Sequence, residues 1–289
     1  MIHTKESKAT VLVTNADRGS AIAVIRSLGR QSWRVIAADS IPQSLGFQSK
    51  YAHEQLLYPA PHNAPDAFVE TLYQAACDRN IDLIIPVTDE AIHPLAQARA
   101  RFKGVCQLAL PEPRALDMVM NKDKTLHLAQ QLGIPTPQSR LVRTIKDAQE
   151  AVRELCWPVV LKPKVSRNYN AEQGIIEKHS VSYANSMKEL TEQVQRFEGR
   201  CEILLQEYCQ GTGQGVELLT YRGRPLAVFQ HKRLAEIPVS GGASAWRESV
   251  PLDPQLYDYS ARLVKALAWT GLIMVEFKVG ERPLLMEIN

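Results

Sequence analysis

Three oxygen-bearing side chains close the chain: Glu276, Glu287 and Asn289, within "GLIMVEFKVGERPLLMEIN". Two strands around a four-residue loop, Gly280 to Pro283, would set residue 279 opposite 284 and Glu276 directly opposite Glu287. Val275, Phe277, Val279, Leu284, Met286 and Ile288 then share an apolar face, and the two glutamates share the other with Asn289. Carboxylates facing each other across a ladder repel. A divalent cation converts that repulsion into attraction, and two Glu with one Asn suit Mg²⁺ held jointly with substrate phosphates. A solvated outer face with incidental glutamates is the other reading of the hairpin taken alone.

Positive groups lie upstream. Lys162 finishes the apolar run "PVVLK", where burying an ammonium is expensive unless it meets an anion. Lys122 opens a helical segment that stops at Gly133, and a cation there opposes the helix dipole. Either lysine alone also reads as a snorkelling surface residue. "LLQEYCQG" runs from a strand into Gln206, Glu207, Tyr208 and Cys209, whose backbone could meet the edge of an adenine ring, with Leu205 and Tyr208 near its faces. Glu217, on the next strand, could accept from ribose hydroxyls. His231, Lys232 and Arg233 put positive charge where a triphosphate would lie, or form a basic strand end in solvent. "QGTGQG" (210–215) has no helix after it and reads as a turn rather than a phosphate loop.

The elements that must position these residues follow from periodicity. "ATVLVT", "WRVIAAD", "IDLIIPV" and "VCQLAL" read as strands separated by helices at 20–31, 66–80 and 89–101, which implies a parallel sheet within the first 110 residues or so. The prolines of "LPEPRAL" mark a boundary. Beyond it the pattern predicts helices at 122–133, 146–156, 184–197 and 254–268, with strands at 158–162, 174–178, 202–208, 215–221 and 225–233 and the final hairpin. The Gly-rich turns among the later strands imply antiparallel pairing.

Composition narrows the function. With 45% hydrophobic and 22% charged residues the chain is an ordinary globular sequence, and 34 basic against 31 acidic side chains point to neither nucleic acid nor a membrane surface. Five cysteines without a C-x-x-C pair read as reduced thiols in or near cores. The polar N-terminus has no apolar signal core, so the expected location is cytoplasmic.

In combination and in order, "NKDKTLHLAQQLGIPTP", "PVVLKPKVSR", "LLQEYCQGTGQGVELL", "HKR" and "VEFKVG…LLMEIN" resemble the ATP-grasp superfamily, with the carbamoyl-phosphate-synthase-like carboxylate-amine ligases as the nearest branch. The resemblance implies an α/β plus α+β fold: a Rossmann-like pre-ATP-grasp domain at 1–112, then an ATP-grasp domain of two α+β subdomains at 113–289 with its central lid at about 135–208. It implies ATP with Mg²⁺, or Mn²⁺ in its place, small-molecule carboxylate and amine substrates, and compatibility with a homodimer. Lys122 and Lys162 would contact ATP phosphates, Gln206 to Cys209 would line the adenine, and Glu276, Glu287 and Asn289 would hold the metal. The usual Gly-rich lid loop is replaced by "PKVSRNYNAEQG", which shifts phosphate grip to Ser166 and Arg167. The family pattern continues past the last Asn to an Arg, so the resemblance implies a chain truncated through its site.

The implied chemistry is phosphoryl transfer to a carboxylate, with Lys162 and Arg233 offsetting charge, then attack of an amine on the acyl phosphate. An ATP-binding module without ligase activity is the alternative. A dinucleotide-dependent oxidoreductase, resting on Asp39 at the end of the second strand, is disfavoured because "TNADRGSA" has a single Gly. Thr88, Asp89 and Glu90 at a strand end, and the loop "VSGGAS" (239–244), are candidate substrate contacts or simply a helix cap and a turn.

Overall fold

The computed structural model describes residues 9–164, 167–170, 175–178, 181–237 and 242–289, with backbone alone for 167–170, 175–178 and 243. Two compact units emerge. One runs to Leu110 and takes in the strand pair within 167–178; the other comprises the remaining described residues from Pro111 to Asn289.

In the first unit, β1 (Thr10–Val13), β2 (Arg34–Asp39), β3 (Glu54–Leu57), β4 (Leu83–Ile85) and β5 (Gln107–Leu108) form a parallel sheet ordered β3-β2-β1-β4-β5. Alternation sends Val11, Val13, Val35 and Ala37 to one face, against Ala21 and Ile25 of α1 (Gly19–Arg30). Leu12, Ile36 and Ala38 go to the other, against Phe68 and Leu72 of α2 (Pro65–Asp78) and Leu95 of α3 (Asp89–Gln97). Cover on both faces explains why these strands read as unbroken apolar runs. Three details differ from expectation. The edge strand β3 is too short and polar in sequence to announce itself. The helix expected over 89–101 breaks at Ala98 into α3 and α4 (Arg99–Phe102), and "LPEPRAL" enters a helix, α5 (Pro113–Met120), whose first-turn proline needs no hydrogen-bonded N–H.

In the second unit, α6 (Lys122–Gln131) starts behind Asn121, whose Oδ1 accepts from the N–H groups of Asp123 and Lys124, and stops before Gly133 at φ +65°. Then follow β6 (Ser139–Val142), α7 (Ile145–Ala151), β7 (Val159–Pro163), β10 (Ser182–Ala184), α8 (Met187–Phe197) and β11 (Ile203–Glu207); the pair β8 (Arg167–Asn170) and β9 (Ile175–Lys178), between β7 and β10 in the chain, groups with the first unit. The sheet β10-β7-β11-β6 buries Val142, Val159, Leu161, Ile203 and Leu205 against α7 and α8. The pleat therefore turns Val160, Lys162, Leu204 and Gln206 to the opposite face.

A second sheet, antiparallel and ordered β14-β13-β12-β15-β16, comprises β12 (Thr212–Tyr221), β13 (Arg224–Ile237), β14 (Ala243–Ser249), β15 (Gly271–Val279) and β16 (Pro283–Ile288). The helix α9 (Pro254–Ala266) covers one face, burying Leu256, Leu263 and Val264. Periodicity does not announce β14, which begins inside "VSGGAS"; residues 238–241 lie outside the described residues. Among the described residues no helix is long and apolar enough to cross a membrane. All five cysteines are unpaired, but Cys77 and Cys156 are exposed rather than near a core.

Candidate functional site

The closing hairpin reaches the expected pairing by a different path. Val279 pairs with Pro283, which leaves a loop of Gly280, Glu281 and Arg282 and displaces the pairs next to it by one residue. A bulge at Met286 restores the register, so that Glu276 faces Glu287 and Val275 faces Ile288. Leu285, not Leu284 or Met286, consequently joins Val275, Phe277 and Ile288 in the core. Met286 turns instead to a cavity of about 570 Å³ that Met274, Glu276 and Glu287 also line. Asn289 extends the ladder, exchanging backbone hydrogen bonds of 2.7 and 2.8 Å with Met274. Its Nδ2 donates to Glu276 Oε1 at 3.1 Å and to Glu287 Oε1 at 3.5 Å.

Glu276 is 7% exposed, and Nη2 of Arg233 lies 2.5 Å from its Oε2. Burial, then the facing Glu287, pushes its pKa up to about 7 against the pull of Arg233 and Asn289. A carboxyl raised from 4.5 to about 7 holds more protons folded than unfolded between those values. Folding stability of the metal-free protein is therefore expected to fall as pH rises through that window, by on the order of 3 kcal/mol. Urea denaturation at its two ends measures this, and Glu276→Gln should flatten the slope.

Lys162 is 8% exposed. Desolvation lowers its pKa; the attraction of Glu287 opposes this, and repulsion from Lys122 adds to it. Among the described residues no carboxylate forms an ion pair with it. Nζ of Lys122 stands 3.7 Å from Glu287 Oε2, and its backbone N–H donates to the Lys164 carbonyl at 3.0 Å, tying the start of α6 to the exit of β7. Lys162, Arg233, Glu276 and Glu287 thus line one cavity, and Lys122 and Asn289 stand behind it in contact with the glutamates. Ser166 lies outside the described residues, and Arg167 is described by its backbone alone.

The segment expected at the adenine divides. Glu207, Tyr208 and Cys209 line the cavity, whereas Gln206 is fully buried and donates to Ser139 Oγ at 3.0 Å. Leu205 packs with α7 and α8 and faces away; Val160, on the other side of the pleat, takes the place expected for it. Glu207 holds the backbone N–H of Gln138 at 2.8 Å, and Tyr208 sets its edge against Tyr183 with centroids 6.2 Å apart. Burial pushes the Cys209 thiol up to about 11, so it is neutral at physiological pH.

Glu217, His231 and Lys232 do not line the cavity. His231 is 1% exposed, and its Nδ1 lies 2.6 Å from Glu217 Oε1. "QGTGQG" is largely strand rather than turn, because β12 begins at Thr212. A Cβ on Gly215 would stand 2.4 Å from His231 Cε1, and one on Gly213 would stand 2.8 Å from Arg233 Cδ. Bare backbone at these two positions lets side chains of β13 cross β12 toward Glu276. Val160, Met274, Met286, Lys278 and Arg247 were missed as lining residues. Alternation from Lys162 and Glu276 could have found 160, 274 and 278.

In the first unit, Thr88 donates its hydroxyl to Asn15 Oδ1 at 3.1 Å, and Asp89 and Glu90 enter the first turn of α3. The Asp39 carboxylate accepts from the N–H groups of Asp17 and Ser40, both at 2.7 Å, and from the Ser44 hydroxyl at 2.9 Å. It latches its own loop, as a structural rather than ribose-binding residue would.

No family model matches the chain. It is 22% identical over 276 residues to the carbamoyl phosphate synthase large chain of Acidobacterium capsulatum, an alignment covering 91% of this chain and 24% of that one. It is 31% identical over 144 residues to the formate-dependent phosphoribosylglycinamide formyltransferase of Burkholderia mallei, covering 50% of this chain and 33% of that one. The chain thus spans a third or less of the length of these curated relatives. The biotin carboxylase of Campylobacter jejuni superposes with a TM-score of 0.76 at 16% identity, over 97% of this chain and 65% of that one.

Proposed function

We propose that this chain, which has the ATP-grasp fold, is the nucleotide-binding part of an ATP- and Mg²⁺-dependent ligase that activates a carboxylate as an acyl phosphate for attack by an amine. The observation that carries the reading is the facing pair Glu276 and Glu287, one of them buried, in a cavity shared with the buried ammonium of Lys162. Neither half is favourable alone. Opposed carboxylates call for a cation and an unpaired buried ammonium calls for an anion, and a metal–nucleotide complex supplies both.

The residues fit the metal. Glu276 and Glu287 offer carboxylate oxygens; Asn289 turns its Nδ2, within 3.5 Å of both, toward them, and rotation of that amide would present Oδ1 instead, giving an all-oxygen set suited to Mg²⁺. Among the described residues no cluster of three His, Cys, Asp or Glu side chains competes for that role. Bound there, Mg²⁺ would neutralise charge on the transferring phosphoryl group. Arg233 would leave Glu276 to bind the phosphates, and Lys122 and Lys162 would balance the charge that grows on the transferring group. Val160, Tyr208 and Met286 would enclose the base, with backbone of Glu207 to Cys209 at its edge. The protein would work in the cytoplasm, with a homodimer as a compatible assembly.

Hydroxylamine traps acyl phosphates as hydroxamates, so the test is a panel of carboxylates with ATP, Mg²⁺ and hydroxylamine, read as hydroxamate and ADP. At least one carboxylate is expected to give both in equal amounts. ATP binding with no carboxylate-dependent product would leave a nucleotide-binding module instead.

A further inference from the structure

Arg233 holds two carboxylates with separate nitrogens. Its Nη2 lies 2.5 Å from Glu276 Oε2, while Nη1 donates to Glu236 Oε1 at 3.4 Å and to the Gly242 carbonyl at 3.3 Å. Between 10 and 16% of each of the three side chains is exposed, so water screens these contacts little. A guanidinium keeps its charge at every physiological pH, which makes the bond to Glu276 a strong one. The other oxygen of Glu276, Oε1, accepts from Asn289 Nδ2 at 3.1 Å. Both oxygens of a carboxylate assigned to the metal are therefore taken by the protein's own donors.

The backbone makes room for this arrangement. A Cβ on Gly213 would stand 2.8 Å from Arg233 Cδ and 3.0 Å from Glu236 Oε1, so both side chains lie over the bare main chain of β12. Glu236 is on β13 and Gly242 just before β14, whereas Glu276 is on β15. Release of Nη2 from Glu276 thus leaves Nη1 anchored, and the guanidinium needs no new partner in order to withdraw. Among the described residues, Lys162, Lys278 and Arg247, the other cations lining the cavity, form no ion pair with Glu276.

A divalent cation and a guanidinium compete for the same lone pairs of Glu276 Oε2. Resting on the ligase reading above, we propose that Arg233 is a built-in occupant of the metal position, which keeps a free divalent cation off Glu276 until a nucleotide phosphate draws the guanidinium away. The phosphate that takes Nη2 uncovers Oε2, so metal and nucleotide each raise the other's affinity by the same factor. Glu236 is a positioning residue that holds Arg233 in both arrangements.

Mn²⁺ alone, without nucleotide, is the probe, and the paramagnetic resonance signal of the free ion reads its binding. Arg233→Met is expected to tighten Mn²⁺ binding by about 10- to 10²-fold, the range that a hydrogen bond to a charged group spans. Lys278→Met removes the same charge from the same cavity without releasing Glu276, and should change the affinity by no more than about 5-fold. Arg233→Lys keeps the charge but replaces two separately held nitrogens by one, so it should also tighten binding, by a smaller factor. No tightening in Arg233→Lys overturns the proposal, because a field effect alone predicts that result; equal gains in Arg233→Met and Lys278→Met overturn it too. Should Arg233→Met fail to fold, Arg233→Lys decides. The two readings fail separately: absence of hydroxamate from the unsubstituted protein overturns the ligase reading, whereas the Mn²⁺ comparison needs no turnover and decides Arg233.

Discussion

Glu287→Gln is expected to lower Mg²⁺-dependent ATP turnover by about 10³-fold or more, as loss of a main electrostatic anchor at a reacting phosphate does, while the protein stays folded. Glutamine keeps the shape of the side chain but removes its charge. Glu276 then loses the repulsion that, after burial, does most to raise its pKa, and Lys122 loses the carboxylate 3.7 Å from its ammonium. Relief of the opposed charges should leave urea stability equal or slightly higher, since like charges facing across a ladder destabilise it. Turnover falling together with stability would point to a structural hairpin. Unchanged turnover would remove the metal assignment.

Lys162→Met should separate function from stability even more clearly. The ammonium is 8% exposed and, among the described residues, has no carboxylate in ion-pair contact, so it carries a desolvation penalty that methionine of similar length does not. The variant is expected to be more stable by about 1–3 kcal/mol, in the range found when buried charges give way to apolar side chains. Turnover is expected to fall by about 10²–10³-fold for want of a cation at the phosphates. Chemical denaturation and ADP release read the two effects separately. A destabilised variant would mean that Lys162 is held by structural partners and is not waiting for an anion.

Much of this arrangement was legible because period 2 is a strict constraint where one face of a sheet is buried. Lys162, ending a strand whose alternate residues Val159 and Leu161 belong to a core, had to face the other way. The parallel sheet of the first unit and the helix ending at Gly133 were readable for similar reasons. What escaped was whatever depends on local irregularity or on neighbours distant in sequence. The pairing of Glu276 with Glu287 was anticipated with the wrong loop, because a three-residue turn and a bulge at Met286 cancel, and only the faces of Leu284, Leu285 and Met286 betray the difference. Gly213 and Gly215 look like turn residues until Arg233 and His231 are seen lying across them. Glu217 and His231 looked like nucleotide contacts because nothing in a sequence tells that the two side chains meet each other. Leu205 was put on the wrong face, although counting from Lys162 through the β7–β11 pairing, Leu161 opposite Leu205, assigns it to the core.

Isotope transfer tests the central claim most directly. The carboxylate identified by the hydroxamate screen is prepared with heavy oxygen in its carboxyl group, and the products of ATP-dependent amide formation are examined by phosphorus-31 NMR. If the chain activates a carboxylate as an acyl phosphate, one labelled oxygen should appear in inorganic phosphate for each amide formed, and ADP should be the nucleotide released. Label in AMP, or amide formation with unlabelled phosphate, would contradict it.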